Sequence, residues 1–337
     1  ESSILSAIVL AALGCASPST PGALVPRTVD QDPELPQIPI RVAGRMRRIH
    51  VETAGNPESP PLLVLHGSLG DFRAMRVFRA LADRWFVVFW DQRGNGLSER
   101  IEADEYTWDS IVEEIDAVRA HFAARRPVAL LGHSFGAMYA TLYASRRPAD
   151  VTHLALLEPG GLNGRIFGET FSTIVNVQLF DAGLNAMFWQ NEVLSPSTHE
   201  AVDHRALMIL KNGRQTNYFC DPDRPPHYPI WRSGAYVEWL RGLRMGSGGG
   251  FALPRFDFDF ARGMSRFGPR VLLVAGTCSA LGPSFQRTWH VPLFREAEVV
   301  TIEGAGHRLF AERPREVLAA VRAYLDADAD APAERRR

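Results

Sequence analysis

Residues 127–140 read PVALLGHSFGAMYA, an apolar run that passes straight into Gly-His-Ser-Phe-Gly and then into small helix-forming residues. The pattern predicts a strand, a tight turn and a helix, with Ser134 at the apex of the turn. A turn that pushes a side chain outward at the end of a strand crowds its neighbours, and a Cβ at Gly132 or Gly136 would clash there. Gly-x-Ser-x-Gly alone turns up by chance in many proteins. Its specificity here lies in the apolar strand before it and the helical segment after it.

Working outward from that turn, short apolar runs alternate with longer amphipathic segments, as expected of a mostly parallel sheet covered by helices. The strand candidates are IPIRV, RRIHVETA, PLLVLHG, WFVVFWDQRG, PVALLGH, THLALLEPG, RVLLVAG and EVVTIEG. The first two read as an antiparallel hairpin entering the sheet. Apolar spacing predicts helices over about 71–83, 107–124, 135–146 and 313–326. Residues 160–265 break the rhythm, being far too long for an ordinary connection and carrying amphipathic pieces between Pro and Gly breaks. They are expected to form an inserted helical cap. The implied organisation is a signal and linker over 1–36, a core over 37–159 and 266–327, the cap between them, and a polar tail over 328–337.

The chain has 337 residues, of which 46% are hydrophobic, enough for a large buried core. Its formal net charge of −1 offers no polycationic surface for phosphate, so nucleic acid is not an expected partner. At the N-terminus an apolar run from Ile4 to Gly14 is closed by Cys15 and followed by a Ser/Pro/Thr-rich stretch. The run is too short to span a bilayer. It resembles the hydrophobic region of a bacterial lipoprotein signal, which implies lipidation at Cys15 and residence in the cell envelope or periplasm. The alternative is a buried helix in a cytoplasmic protein. With Cys15 lipidated, Cys220 and Cys278 remain, and an oxidising envelope would let them pair as a disulfide between the cap and the loop after the seventh strand.

Three further stretches bear on function. LLVLHGSLGD ends the third strand in His-Gly, where backbone N–H groups near Ser68 and Leu69 can face a developing oxyanion. FWDQRGNGLSE ends the fourth strand in a turn, with Asp91 and Arg93 read as groups that hold it. IEGAGHRLF places His307 in a Gly-rich loop after the last strand, free to reach across the carboxyl edge of the sheet. His66 reads as a structural hydrogen-bonding group, and His133, beside the serine, as a packing residue.

These stretches resemble the α/β-hydrolase superfamily over about residues 38–327, and DQRGNGLS with HGSLG looks most like the capped branch that contains proline iminopeptidases. The resemblance implies an α/β-hydrolase fold, a Ser134 nucleophile, a general-base His307 and an orienting acid in the chain order Ser, acid, His. It also implies oxyanion donors at the Phe135 N–H and the Ser68 region, and neither cofactor nor metal. In most of the superfamily the acid is an Asp three residues beyond the strand-ending Gly of the seventh strand. Ser279 stands at that place, and no carboxylate occurs from Val271 to His290. Glu158, 24 residues after Ser134 at the end of the neighbouring strand, is the expected acid, with Asp257 and Asp259 as outside candidates. The function expected is hydrolysis of an acyl bond in an ester, lactone or amide. The alternatives are an iminopeptidase-like aminopeptidase and a non-catalytic envelope binding protein. The expected partner is a small molecule or short peptide, and sequence leaves the oligomeric state open. The membrane enters only through the lipid anchor.

Overall fold

The computed structural model describes residues 27–67, 70–169, 219–221 and 257–327. Eight strands form one sheet: β1 (Gln37–Val42), β2 (Arg45–Ala54), β3 (Pro61–Leu65), β4 (Phe86–Trp90), β5 (Val128–His133), β6 (Val151–Leu157), β7 (Val271–Gly276) and β8 (Ala297–Ile302). Their spatial order is β1-β2-β4-β3-β5-β6-β7-β8. The expected hairpin is present: β1 and β2 pair antiparallel, β2 joins β4 antiparallel, and every later pairing is parallel.

Strands β3, β4, β5 and β7 are buried along their whole length, which is why they read as unbroken apolar runs. Because successive side chains point to opposite faces, each strand feeds two cores. Leu63, Leu65, Val88, Trp90, Leu130, Leu156 and Leu273 pack on one face, beneath α1 (Trp108–Ala123) and α2 (Phe135–Arg146). Leu62, Val64, Val87, Phe89, Leu131, Leu157 and Val274 pack on the other, beneath residues 72–81 and α3 (Pro314–Asp326). Helix α1 begins at a reciprocal cap, the Ser110 N–H bonding the Thr107 hydroxyl and the Thr107 N–H bonding the Ser110 hydroxyl.

The helix expected over 71–83 is present as 3₁₀ turns over Phe72–Leu81. Its buried residues are Phe72, Met75, Phe78 and Leu81. That strict spacing of three matches 3.0 residues per turn, so a 3₁₀ winding keeps all four on one face where an α-helix would let the stripe drift. Asp71 starts the segment by accepting from the Arg73 N–H.

The two ends of the 160–265 interval meet on the core. The Gly164 N–H donates to the Phe258 carbonyl at 2.8 Å and the Phe260 N–H to the Leu162 carbonyl at 2.9 Å. Leu162, Phe260, Met264 and Phe267 are buried with the α1/α2 layer. Between those ends only residues 219–221 are described, so the body of the expected cap, like Cys15, Ser68 and the tail after residue 327, lies outside the described residues. Among the described residues, no helix is long and apolar enough to cross a membrane.

Candidate active site

The loops after β5, β6, β7 and β8, four adjacent strands, converge at the carboxyl edge of the sheet, where open parallel sheets bind ligands. Ser134 follows β5 directly with φ 54° and ψ −119°, a strained conformation for a side chain bearing a Cβ. The strain is held from several sides. The Ser134 N–H donates to the Leu157 carbonyl at 3.0 Å, and the Ser134 carbonyl accepts from the Ala137 and Met138 N–H groups, both at 3.1 Å. A Cβ at Gly132 would overlap the Gly136 carbonyl oxygen, and one at Gly136 would overlap the Leu65 carbonyl oxygen. Both glycines are therefore required by close backbone approach, as the sequence pattern anticipates.

Glu158 follows β6 directly, again at positive φ (43°), with its N–H donating to the Val274 carbonyl at 3.0 Å. It is fully buried, and its carboxylate accepts three hydrogen bonds. Oε1 accepts from the Gly276 N–H at 2.7 Å, while Oε2 accepts from the Ser279 hydroxyl at 2.6 Å and from His307 Nδ1 at 2.8 Å. A carboxylate oxygen can only accept, so Nδ1 carries the imidazole proton and the Nε2 lone pair is left toward Ser134. The Ser134 hydroxyl donates to that nitrogen at 3.1 Å. Three side chains from three loops thus form a continuous hydrogen-bonded chain: Ser134, His307, Glu158. Asp257 and Asp259 have no bond to the imidazole; Asp259 instead accepts from the Ala261 N–H.

To reach Ser134 from β8, His307 must cross the width of about three strand spacings, roughly 14 Å. The Gly-rich loop Glu303–Gly306 carries His307 toward Ser134 and is tied to the loop after β7. The Thr277 N–H donates to the Ile302 carbonyl, the Cys278 N–H to the Ala305 carbonyl, and the Gly304 N–H to the Thr277 hydroxyl. Cys278 is also disulfide-bonded to Cys220, with Cα atoms 5.2 Å apart. Glu312 adds a bridge, accepting from the Cys220 N–H at 2.9 Å and from the Gly306 N–H at 2.6 Å.

Sequence reasoning assigns His133 to packing. Its ring is fully buried, but it also donates from Nε2 to the His307 carbonyl at 2.9 Å and stands edge-on to Phe310. Burial, with the nearby His307 and Arg308, pushes it well below the usual histidine range, so it is neutral and holds the His307 backbone as a donor. Sequence reasoning likewise misses Glu312 and Ser279 as contacts. No local signal marks Glu312, and at Ser279 the sequence shows only a serine where the superfamily's acid usually stands; the contacts of both cross between loops. His66 holds the turn after β3: its Nε2 accepts from the Gln92 N–H at 3.0 Å and its Nδ1 donates to the Gly67 carbonyl at 2.8 Å. Asp91 accepts from His50 and from the Phe72 and Leu97 N–H groups. Burial alone would raise its carboxyl, but the His50 hydrogen bond and the neighbouring imidazoles hold it below the usual range. Arg93, buried, bonds Glu114 at 2.8 Å. Phe135 opens α2 beside Ser134. Among the described residues, no cluster of three or more His, Cys, Asp or Glu side chains is arranged to hold a metal ion.

The family described as alpha/beta hydrolase fold matches this sequence over residues 60–314, which takes in Ser134, Glu158 and His307. The chain belongs to the α/β-hydrolase fold family. This hydrolase is 25% identical over 298 residues to the proline iminopeptidase PfmaB of Pestalotiopsis fici, covering 80% of this chain and 93% of the relative. It is 30% identical over 314 residues to epoxide hydrolase A of Mycobacterium tuberculosis, covering 82% and 94%. Its fold superposes on the crystal structure of a proline iminopeptidase from Mycobacterium smegmatis with a TM-score of 0.57 at 20% identity, covering 87% of this chain and 100% of the other. The hydrolase is thus proline iminopeptidase-like in fold and sequence.

Proposed function

We propose that this hydrolase cleaves an acyl bond through a Ser134–His307–Glu158 triad and an acyl-enzyme intermediate. The observation that carries it is the pair of contacts on one imidazole, Ser134 Oγ on Nε2 and Glu158 Oε2 on Nδ1. As Ser134 Oγ attacks the acyl carbon, its proton passes to His307 Nε2, and the imidazolium is stabilised by the buried carboxylate. The alkoxide formed on the carbonyl oxygen is assigned to the Phe135 N–H at the start of α2 and to the Ser68 region. Collapse expels an alcohol or amine that takes the proton back from Nε2. Water then attacks the acyl carbon with His307 again as base, and the acid leaves.

A serine nucleophile also separates the chemistries of the two kinds of relative. Opening an epoxide with Ser134 would leave an ether, which neither His307 nor water can hydrolyse, whereas acylation leaves an ester that water can cleave. Acyl transfer is therefore favoured over epoxide opening. Half-buried aromatic rings beside the nucleophile, Phe135 against Phe167 (5.7 Å between ring centres) and Phe167 against Phe258 (5.6 Å), favour an apolar acyl or leaving group. The interval 160–265 is proposed as an inserted helical cap. We also place the protein in an oxidising compartment, by way of a lipoprotein signal followed by a lipidated Cys15; the Cys220–Cys278 disulfide favours that location over a reducing cytoplasm.

Labelling with a fluorophosphonate tests the mechanism: a stoichiometric adduct on Ser134, absent from Ser134→Ala, is expected, and an unlabelled native protein would leave the non-catalytic binding protein. A panel of acyl esters against aminoacyl-naphthylamides then separates the esterase from the aminopeptidase.

A further inference from the structure

Ser279 stands three residues beyond the end of β7, where it supplies no charge, yet it is not idle. Its hydroxyl donates to Glu158 Oε2 at 2.6 Å, the same oxygen that receives the His307 Nδ1 proton at 2.8 Å. Its oxygen also accepts from the Leu281 N–H at 3.1 Å, and because a carboxylate can only accept, its single proton is directed at Glu158. The Gly276 N–H fixes the other oxygen at 2.7 Å. The loop that carries Ser279 is itself anchored: the Gly282 N–H donates to the Ser279 carbonyl at 3.0 Å, and the preceding Cys278 is both disulfide-bonded and hydrogen-bonded to Ala305. We propose that Ser279 is a positioning residue for the reaction, which turns Glu158 Oε2 toward His307.

The physical reason is geometric. Glu158 approaches the imidazole from the neighbouring strand on a side chain with three rotatable bonds, one more than an aspartate. Two donors, the Gly276 N–H at the end of β7 and the Ser279 hydroxyl in the loop that follows, remove that freedom by holding the two carboxylate oxygens separately. A serine serving only its own turn would need the Leu281 bond alone; the bond to Glu158 is additional and points at the reacting histidine.

This inference rests on the proposed Ser134–His307–Glu158 triad, and the test includes controls that fail separately. Using the best ester from the panel, kcat and KM are measured for Ser279→Ala and Ser279→Thr beside Ser134→Ala and Glu158→Gln, with melting temperatures for all. Loss of a hydrogen bond to a charged acceptor predicts kcat about 10- to 100-fold lower in Ser279→Ala with KM nearly unchanged, and recovery in Ser279→Thr, which keeps the hydroxyl. A second variant relocates the charge. In Glu158→Ala/Ser279→Asp the truncation vacates the space and the new carboxylate extends about one bond length beyond the serine oxygen, so turnover above that of Glu158→Ala alone is expected. Native kcat in Ser279→Ala while Ser134→Ala and Glu158→Gln are inactive would overturn the positioning role and leave the triad standing. So would a fall in kcat accompanied by a rise in KM and a fall in melting temperature in Ser279→Ala, since that pattern belongs to a loop that has merely collapsed. Near-native turnover in Ser134→Ala and Glu158→Gln would instead remove the triad itself.

Discussion

Replacing Glu158 with glutamine changes one oxygen into an NH2 group, and the surroundings of the carboxylate determine the consequence. All three of its partners are donors: the Gly276 N–H, the Ser279 hydroxyl and His307 Nδ1–H. The Gly276 N–H belongs to the backbone and cannot reverse its role, so the amide oxygen must face it. The NH2 group is then left where Oε2 was. Ser279 can rotate its proton away and accept, but His307 can accept at Nδ1 only by moving its own proton to Nε2. That tautomer points an N–H at Ser134 Oγ and has no lone pair there to take the serine proton. The imidazolium also loses its buried countercharge. A wrong-tautomer substitution of this kind lowers kcat by about 10⁴, or about 5 kcal/mol in the barrier. The second-order rate of fluorophosphonate labelling, which needs no knowledge of the natural substrate, should fall by a similar factor, while circular dichroism and the melting curve stay near native. Labelling within tenfold of the native rate would show that another group orients His307 and would refute the tautomer reasoning.

Other outcomes rest on the same contacts. Cys220 and Cys278 are 58 residues apart in sequence, and loop closure of that length predicts roughly 4 kcal/mol of stabilisation as an upper figure. Denaturant curves with and without reductant, and of Cys220→Ser/Cys278→Ser, should differ from the oxidised protein by about 2–4 kcal/mol; coincident curves would contradict the crosslink. Because Cys278 adjoins Ser279, and Cys220 shares Glu312 with Gly306, reduction should also lower fluorophosphonate reactivity. His290 is buried with Nδ1 2.6 Å from Gln286 Oε1, and burial pushes it down to about 3. The unfolded chain therefore takes up that proton first: its share of stability is complete above about pH 6.5 and lost as the pH falls toward 3. Stability of His290→Gln should decline less steeply across that window, and an unchanged slope would refute the burial argument.

The strand-turn-helix at Ser134 was legible because its cause is local. Apolar β-forming residues, two glycines where backbones touch and a small-residue helix lie within fourteen consecutive positions, and each acts on its neighbours in the chain. Strands β3, β4, β5 and β7 were legible for a related reason: strands buried on both faces must be apolar throughout, whatever they pack against. The 3₁₀ winding of Phe72–Leu81 was not, because a spacing of three satisfies both helical templates until the face it must cover is known. What only the tertiary structure decided concerns groups brought together over long separations. Glu158, Ser279 and His307 lie on three loops, and the strand order β5-β6-β7-β8 sets them side by side. The donor role of His133 toward the His307 backbone, the bridge made by Glu312, and the hydrogen bond that gives Ser279 a task all arise across that edge. Sequence periodicity records which face of an element is buried; it carries no record of which polar atoms meet when separate loops fold onto the same strand ends.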